Sequence, residues 1–281
     1  RLYKSGDVFT GTIRSFLRDV KGDHEYVDGT RYEGGWRKDV RYGEGRIVFP
    51  NGDHLEGTWK DGECERASGR VTTEAYEFTG DVRVKMKRNT TAEDQQQEDD
   101  AGGGLLKEVD FEFFFDEQGT CRYVNGDEYE GSWRGSQPHG QGRMAYADGS
   151  FFVGSWIHGK PQRGSGRLHG EQGGDEWWYE GGIVRGKRDG QGECEWPQLG
   201  MKYIGEYKNG LRFGRGRCSY EGGRSWYEGE WQLDERKGQG EMCWSNGATY
   251  KGEFSSGRPD GRGVASFPDG NTYTGEFAAR R

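Results

Sequence analysis

Residues 227–252 read YEGEWQLDERKGQGEMCWSNGATYKG, and the rest of the chain is copies of this stretch. Tyr227, Gly229 and Trp231 open it at alternate positions. Gly238 and Gly240 follow, then a short run to Trp244 and the pair Asn246-Gly247. At Tyr250-Lys251-Gly252 the series begins again. A pattern that returns every 20–50 residues describes an architecture of stacked units, each too small to bury a core alone.

The first glycine of each copy falls at Gly11, Gly34, Gly57, Gly80, Gly131, Gly154, Gly181, Gly205, Gly229, Gly252 and Gly275. Most of these anchors lie 23 or 24 residues apart, with one gap of 27 and one of 51. Two positions before them stand Phe9, Tyr32, Leu55, Phe78, Tyr129, Phe152, Tyr179, Tyr203, Tyr227, Tyr250 and Tyr273. Two positions after stand Ile13, Trp36, Trp59, Val82, Trp133, Trp156, Ile183, Tyr207, Trp231, Phe254 and Phe277. Mostly polar residues lie between, and alternation with period two is the strand signature, one face apolar and one wet. Asn51-Gly52, Asn125-Gly126, Asp148-Gly149, Asn246-Gly247 and Asp269-Gly270 supply hairpin turns, where φ > 0 must be tolerated. Each copy therefore reads as a β-hairpin of two strands of about five or six residues.

Composition agrees with a thin, aromatic core. Glycine supplies 52 of 281 residues, and 10 Trp, 15 Tyr and 14 Phe carry most of the apolar area. The expected fold is all-β: an elongated single-layer antiparallel sheet of tandem hairpins, forming a twisted rod or groove. At about 4.8 Å per strand, eleven or twelve repeats make a rod roughly 110 Å long. Residues 1–281 read as one continuous domain. Residues 83–110, with Glu93 to Asp100 and a run of three glycines, read as a polar loop inserted between two strands of one hairpin.

The pattern Tyr-x-Gly-x-Trp, then His-Gly-x-Gly, then Asp-Gly, resembles the MORN repeat. Tyr129-Glu130-Gly131-Ser132-Trp133, His139-Gly140-Gln141-Gly142 and Asp148-Gly149 match it closely. The resemblance implies an antiparallel sheet with a grooved, aromatic-rich face. MORN proteins are mostly scaffolds, found in radial-spoke heads, protist cytoskeletal structures and junctional membrane proteins. Some sit beside the catalytic domains of lipid kinases and of a lysine methyltransferase.

The net charge of −8, from 40 basic and 48 acidic residues interspersed along the chain, is wrong for a nucleic-acid face. It also disfavours an anionic membrane. No stretch approaches the 18 apolar residues of a spanning helix. Five cysteines without a C-x-x-C pair read as reduced thiols in a cytoplasmic protein. Cys121, Cys194 and Cys218 share one column and read as small core residues. A chain beginning at Arg1 reads as a fragment of a longer protein.

Two stretches imitate a phosphate loop, Gly154 to Lys160 and Gly181 to Lys187. Neither is followed by the Ser or Thr that would ligate a cation, nor by a helical pattern. His24, His54, His139, His158 and His169 are scattered, without metal spacing. No catalytic residue, cofactor or metal is expected. What remains is the aromatic column. A single-layer sheet has nothing to cover it, and an exposed apolar stripe marks an interaction site. The candidate partner-binding groove is Tyr203, Tyr207, Trp231, Tyr250 and Phe254. The expected function is a non-enzymatic protein-interaction scaffold in a cytoskeletal, ciliary or axonemal assembly, as part of a larger complex or a homo-oligomer. The alternatives are a phosphoinositide-recognising module and a regulatory region of an enzyme whose catalytic domain lies elsewhere.

Overall fold

The computed structural model describes residues 1–88, 109–172 and 174–278. Its 21 strands form one open antiparallel sheet. By compactness the chain divides into two units, Arg1–Gly140 and Gln141–Arg281. Within each unit every strand pairs with its neighbours in sequence, as in β14 (Lys187–Trp196) with β15 (Met201–Lys208) and β15 with β16 (Leu211–Tyr220).

Most strands run 7 to 10 residues, longer than the sequence pattern suggests, because they continue past the anchor glycine to a second, tighter turn. Between β17 (Ser225–Gln232) and β18 (Glu235–Cys243) that turn is Leu233-Asp234, with φ of 50° and 68°. Both central residues are left-handed, the two-residue turn that suits a right-twisted hairpin. Lys38 and Asp39 do the same in the first unit, with φ of 48° and 68°. The expected Asn-Gly and Asp-Gly turns lie at the other end, between repeats. There Gly247 N–H donates to the Trp244 carbonyl at 2.9 Å, and Asn246 Oδ1 accepts from Ala248 N–H at 3.0 Å.

The strands are not flat. In β17 and β18, Gly229 faces Gly240 but Trp231 faces Arg236, so the register shifts at the anchor. Such a bulge adds twist and bends the strand. The bend is large. Arg212 and Cys218 are six residues apart in β16, about 20 Å in a straight strand, yet Arg212 Nη1 lies 3.8 Å from Cys218 Sγ. Arg188 reaches Cys194 Sγ at 3.4 Å and Arg236 reaches Met242 Sδ at 3.2 Å in the same way. In the first unit, Arg18 Nη1 lies 3.0 Å from His24 Nδ1. In these four hairpins the tight-turn end folds back over the hairpin's own apolar face.

That fold creates the core. Tyr32, Tyr129, Tyr179, Tyr203, Tyr227 and Tyr250 are fully buried, and Cys64, Cys121, Cys194 and Cys218 are buried free thiols. Close approach explains the paired glycines: a Cβ on Gly240 would stand 2.5 Å from Tyr227 Oη.

One expected boundary needs correction. Residues 83–88 and 109–110 are strand, not loop. β7 (Tyr76–Arg88) and β8 (Val109–Tyr123) pair from Tyr76↔Tyr123 out to Arg88↔Val109. Cross-strand partners such as Val84 with Phe113 continue the alternation past the anchor. The rest of the expected insertion, residues 89–108, lies outside the described residues. The extra residues after Gly154 lengthen a hairpin. β12 (Lys160–Gln172) and β13 (Asp175–Val184) pair as far as Gln172↔Asp175.

Candidate functional site

The five candidate residues do come together. With Tyr227 between them they form one chain of edge-to-face ring contacts: Tyr207–Tyr203 at 5.1 Å, Tyr203–Trp231 at 5.3 Å, Trp231–Tyr227 at 5.2 Å, Tyr227–Phe254 at 4.8 Å and Phe254–Tyr250 at 5.2 Å. Edge-to-face geometry places a positive ring edge on a negative face.

They are not an exposed stripe. Tyr203 and Tyr250 are 0% exposed, and Tyr207, Trp231 and Phe254 are 3% exposed. The reason is the bend in these hairpins, which supplies the covering layer that a flat sheet would lack. Most of their polar atoms are also committed; the Tyr207 hydroxyl is buried without a hydrogen-bond partner. Tyr203, Tyr227 and Tyr250 donate their hydroxyls to the carbonyls of Glu206, Glu230 and Glu253 at 2.9–3.0 Å. Trp231 Nε1 donates to the Gly216 carbonyl at 3.0 Å, and Trp36, Trp59, Trp133 and Trp156 do the equivalent one repeat back. Burial pushes the Tyr227 hydroxyl up to about 12. Tyr273, on β21 (Thr272–Phe277), shows what the next strand contributes. It keeps its bond to the Glu276 carbonyl at 3.3 Å, yet it is 49% exposed, since β21 is the last of the described strands.

The alternation pattern missed a second column. Arg18, Arg41, Arg188 and Arg212 stand just past a tight turn and cover the aromatic residue of the following repeat: Trp36 at 4.1 Å, Trp59 at 4.5 Å, Tyr207 at 5.0 Å and Trp231 at 4.3 Å. Arg212 Nε also donates to Asp234 Oδ1 at 3.0 Å, while its Nη2 donates to the Asp234 carbonyl. Arg18 holds Asp39 identically. These arginines clasp one repeat to the next. The available signal was the period itself, an arginine recurring opposite the aromatic position.

What the chain presents to solvent is its wet face. Rows of cross-strand ion pairs cover it, including Arg46–Glu56, Arg167–Glu180, Arg217–Glu228 and Lys202 with Glu193 and Glu195. In the first unit this face forms a recess of about 690 Å³ across six strands, from Glu56 and Thr58 to His139 and Gly140. Arg66–Glu117 at 2.6 Å and Arg83–Asp116 at 3.0 Å lie within it, with Asp81 and Arg134 beside them.

Both phosphate-loop imitations turn out to be hairpins. Gly154 to Lys160 spans β11 (Phe151–Ile157) and its turn, and Gly181 to Lys187 spans the β13–β14 turn. Among the described residues, no group of His, Cys, Asp or Glu is placed to hold a metal ion. Nor is any helix there long and apolar enough to cross a membrane.

The family model for the MORN repeat matches residues 32–54, 129–151, 179–201, 203–223, 227–249 and 250–272. The chain is a MORN-repeat protein. MORN repeats serve as modules that bind proteins or membranes, so a recognition role follows for this chain at that level. No curated protein matches it. Among solved structures, a mutant TCP10 domain of CPAP from Danio rerio is similar at 13% identity, covering 91% of this chain and 98% of that one. Its TM-score of 0.24 carries no inference about this MORN chain.

Proposed function

We propose that the chain is a non-enzymatic scaffold that docks other proteins on the wet face of its repeats. The cytoplasmic setting proposed is a cytoskeletal or axonemal assembly. The observation that carries the docking reading is the recess of the first unit, where Arg66, Arg83 and Arg134 alternate with Asp81, Asp116 and Glu117. The Arg66 and Glu117 side chains are 82% and 52% exposed. Ion pairs this exposed contribute about 0–1 kcal/mol each, so a partner of mixed charge exchanges them at little cost. Opposed charges then set its register and its rate of encounter. Support for a non-enzymatic role comes from the buried cysteines and the rings, which occupy repeat positions and serve the core. The setting rests on where other MORN scaffolds occur.

The test is affinity capture with quantitative mass spectrometry, using wild type, Arg66→Glu/Arg134→Glu and, as control, Arg217→Glu in the second unit. The expected result is that specific partners are lost with the double variant and kept with the control, at unchanged melting temperature. Identical partner sets for all three proteins would refute docking in the recess.

A further inference from the structure

A second recess, of about 430 Å³, lies wholly within the second unit. It is lined by Gln162, Arg163, Val184, Arg185, Lys187 and Asn209. Its composition is anomalous for this chain. The protein carries a net charge of −8, and elsewhere on the wet face cations meet carboxylates across the strands. Here three cations line one recess with no carboxylate, and among the described residues none of the three forms an ion pair.

The register explains the convergence. Arg163 on β12 pairs with Val184 on β13, and Val184 pairs with Lys187 on β14. Arg163 and Lys187 therefore flank Val184 in one row, about 10 Å apart at the backbone. Arg185 opens the turn between β13 and β14 with φ of 51°, and its N–H donates to the Gln162 carbonyl at 2.7 Å. Asn209, from the next tight turn, closes the far side. Asp189, two residues past Lys187, accepts from the Asn209 N–H at 3.2 Å and does not line the recess. Arg188 is also withdrawn, donating to the Gly210 carbonyl on the other face.

Arg163 and Lys187 on either side of Val184, with Arg185 at the turn, concentrate positive charge along one row, so an anion is favoured there. Two guanidinium forks, one ammonium and two side-chain amides match the several acceptor oxygens of a phosphate group better than a single carboxylate. We propose that this recess is a binding site for a phosphorylated ligand, with Arg163 and Lys187 gripping the phosphate from two strands and Arg185 closing over it from the turn.

The probe is inorganic pyrophosphate, titrated by calorimetry and by amide NMR at constant ionic strength. The expected result is saturable binding, with shifts centred on residues 184–187, weakened roughly tenfold or more by Arg163→Gln/Lys187→Gln. Arg217→Gln, which removes a cation paired with Glu228, leaves the affinity unchanged. All the substituted side chains are exposed, and melting temperatures report that the fold is kept. Absence of saturable binding, or equal weakening by Arg217→Gln, overturns the site. A parallel arm co-sediments the protein with phosphatidylcholine vesicles with and without phosphatidylinositol bisphosphate. Pelleting that the double variant abolishes identifies a lipid headgroup as the phosphate source. Pyrophosphate binding without pelleting identifies a soluble one.

Discussion

The Arg212 guanidinium lies 4.3 Å from the centre of the Trp231 ring, one repeat further along the chain. Arg212 belongs to β16 and Trp231 to β17, so this contact joins two hairpins, and Asp234 anchors the same guanidinium at 3.0 Å. A cation over a desolvated indole contributes up to about 2 kcal/mol, and hydrogen bonds to a charged group contribute about 1.5–3 kcal/mol.

Replacing Arg212 with Gln is therefore expected to lower stability by about 2–3 kcal/mol. Lys restores part of the loss, since it keeps the charge without the fork that holds both Asp234 acceptors. Urea unfolding of wild type, Arg212→Gln and Arg212→Lys measures the order. Equal stabilities would show that the clasp is ornamental.

Trp231→Ala should cost about 3–5 kcal/mol, the usual consequence of emptying a buried ring site. Trp231→Phe keeps most of the volume but leaves the Gly216 carbonyl without its indole donor, for a loss of about 1–2 kcal/mol. Denaturant midpoints check both values. Any loss of binding by Trp231→Ala must then be read against its stability.

Gly240→Ala is expected to be more damaging than a one-carbon change suggests. The added Cβ would lie 2.5–2.7 Å from Tyr227 Oη and ring carbons, and Tyr227 is fully buried with its hydroxyl bonded to the Glu230 carbonyl. Overpacking of this kind costs about 1–3 kcal/mol or more. Gly247→Asn, at a turn with φ of 87° and only Pro268 Cγ near, 3.9 Å from the added Cβ, should cost less, because Asn tolerates the left-handed region. Melting curves of the two variants decide the order.

The first unit should lose stability in mild acid through His24. Burial, with Arg18 beside it, pulls the imidazole down from 6.5 to about 4, against the opposing pull of Asp7. Arg41 adds to the depression, and Tyr3, Tyr26, Phe9 and Trp36 pack around the ring. Between pH 6.5 and about 4 the unfolded chain binds a proton that the folded chain refuses, so stability falls as pH drops through that window and levels off below it. His24→Gln should flatten this part of the profile. Unfolding free energies at pH 7, 5.5 and 4.5 make the comparison.

Much of this was legible in the sequence because the repeat writes it many times. Tyr227, Gly229 and Trp231 announce the strand, Asn246-Gly247 announces a turn, and Cys194 and Cys218 occupy the core column that their spacing assigned. The tight turn was harder to see, since Leu233-Asp234 adopts φ > 0 without carrying the usual residues. The bend was invisible for a physical reason. Period-two alternation states which face a side chain takes and nothing about a hairpin bending over its own face, so a twisted single-layer sheet with an uncovered column of Tyr203, Tyr207, Trp231, Tyr250 and Phe254 is the natural expectation. The same bend places Arg212 above Trp231, a contact that no local pattern reports. The two recesses likewise depend on register between strands, which a local pattern does not report.

That the aromatic column is core and not an exposed stripe is tested most directly by hydroxyl-radical footprinting of the native protein with mass-spectrometric readout. The account predicts strong protection of Tyr203, Tyr207, Trp231, Tyr250 and Phe254, against ready oxidation of Phe16 and Tyr273, which are 86% and 49% exposed. Oxidation of the five at rates comparable with Phe16 and Tyr273 would contradict it.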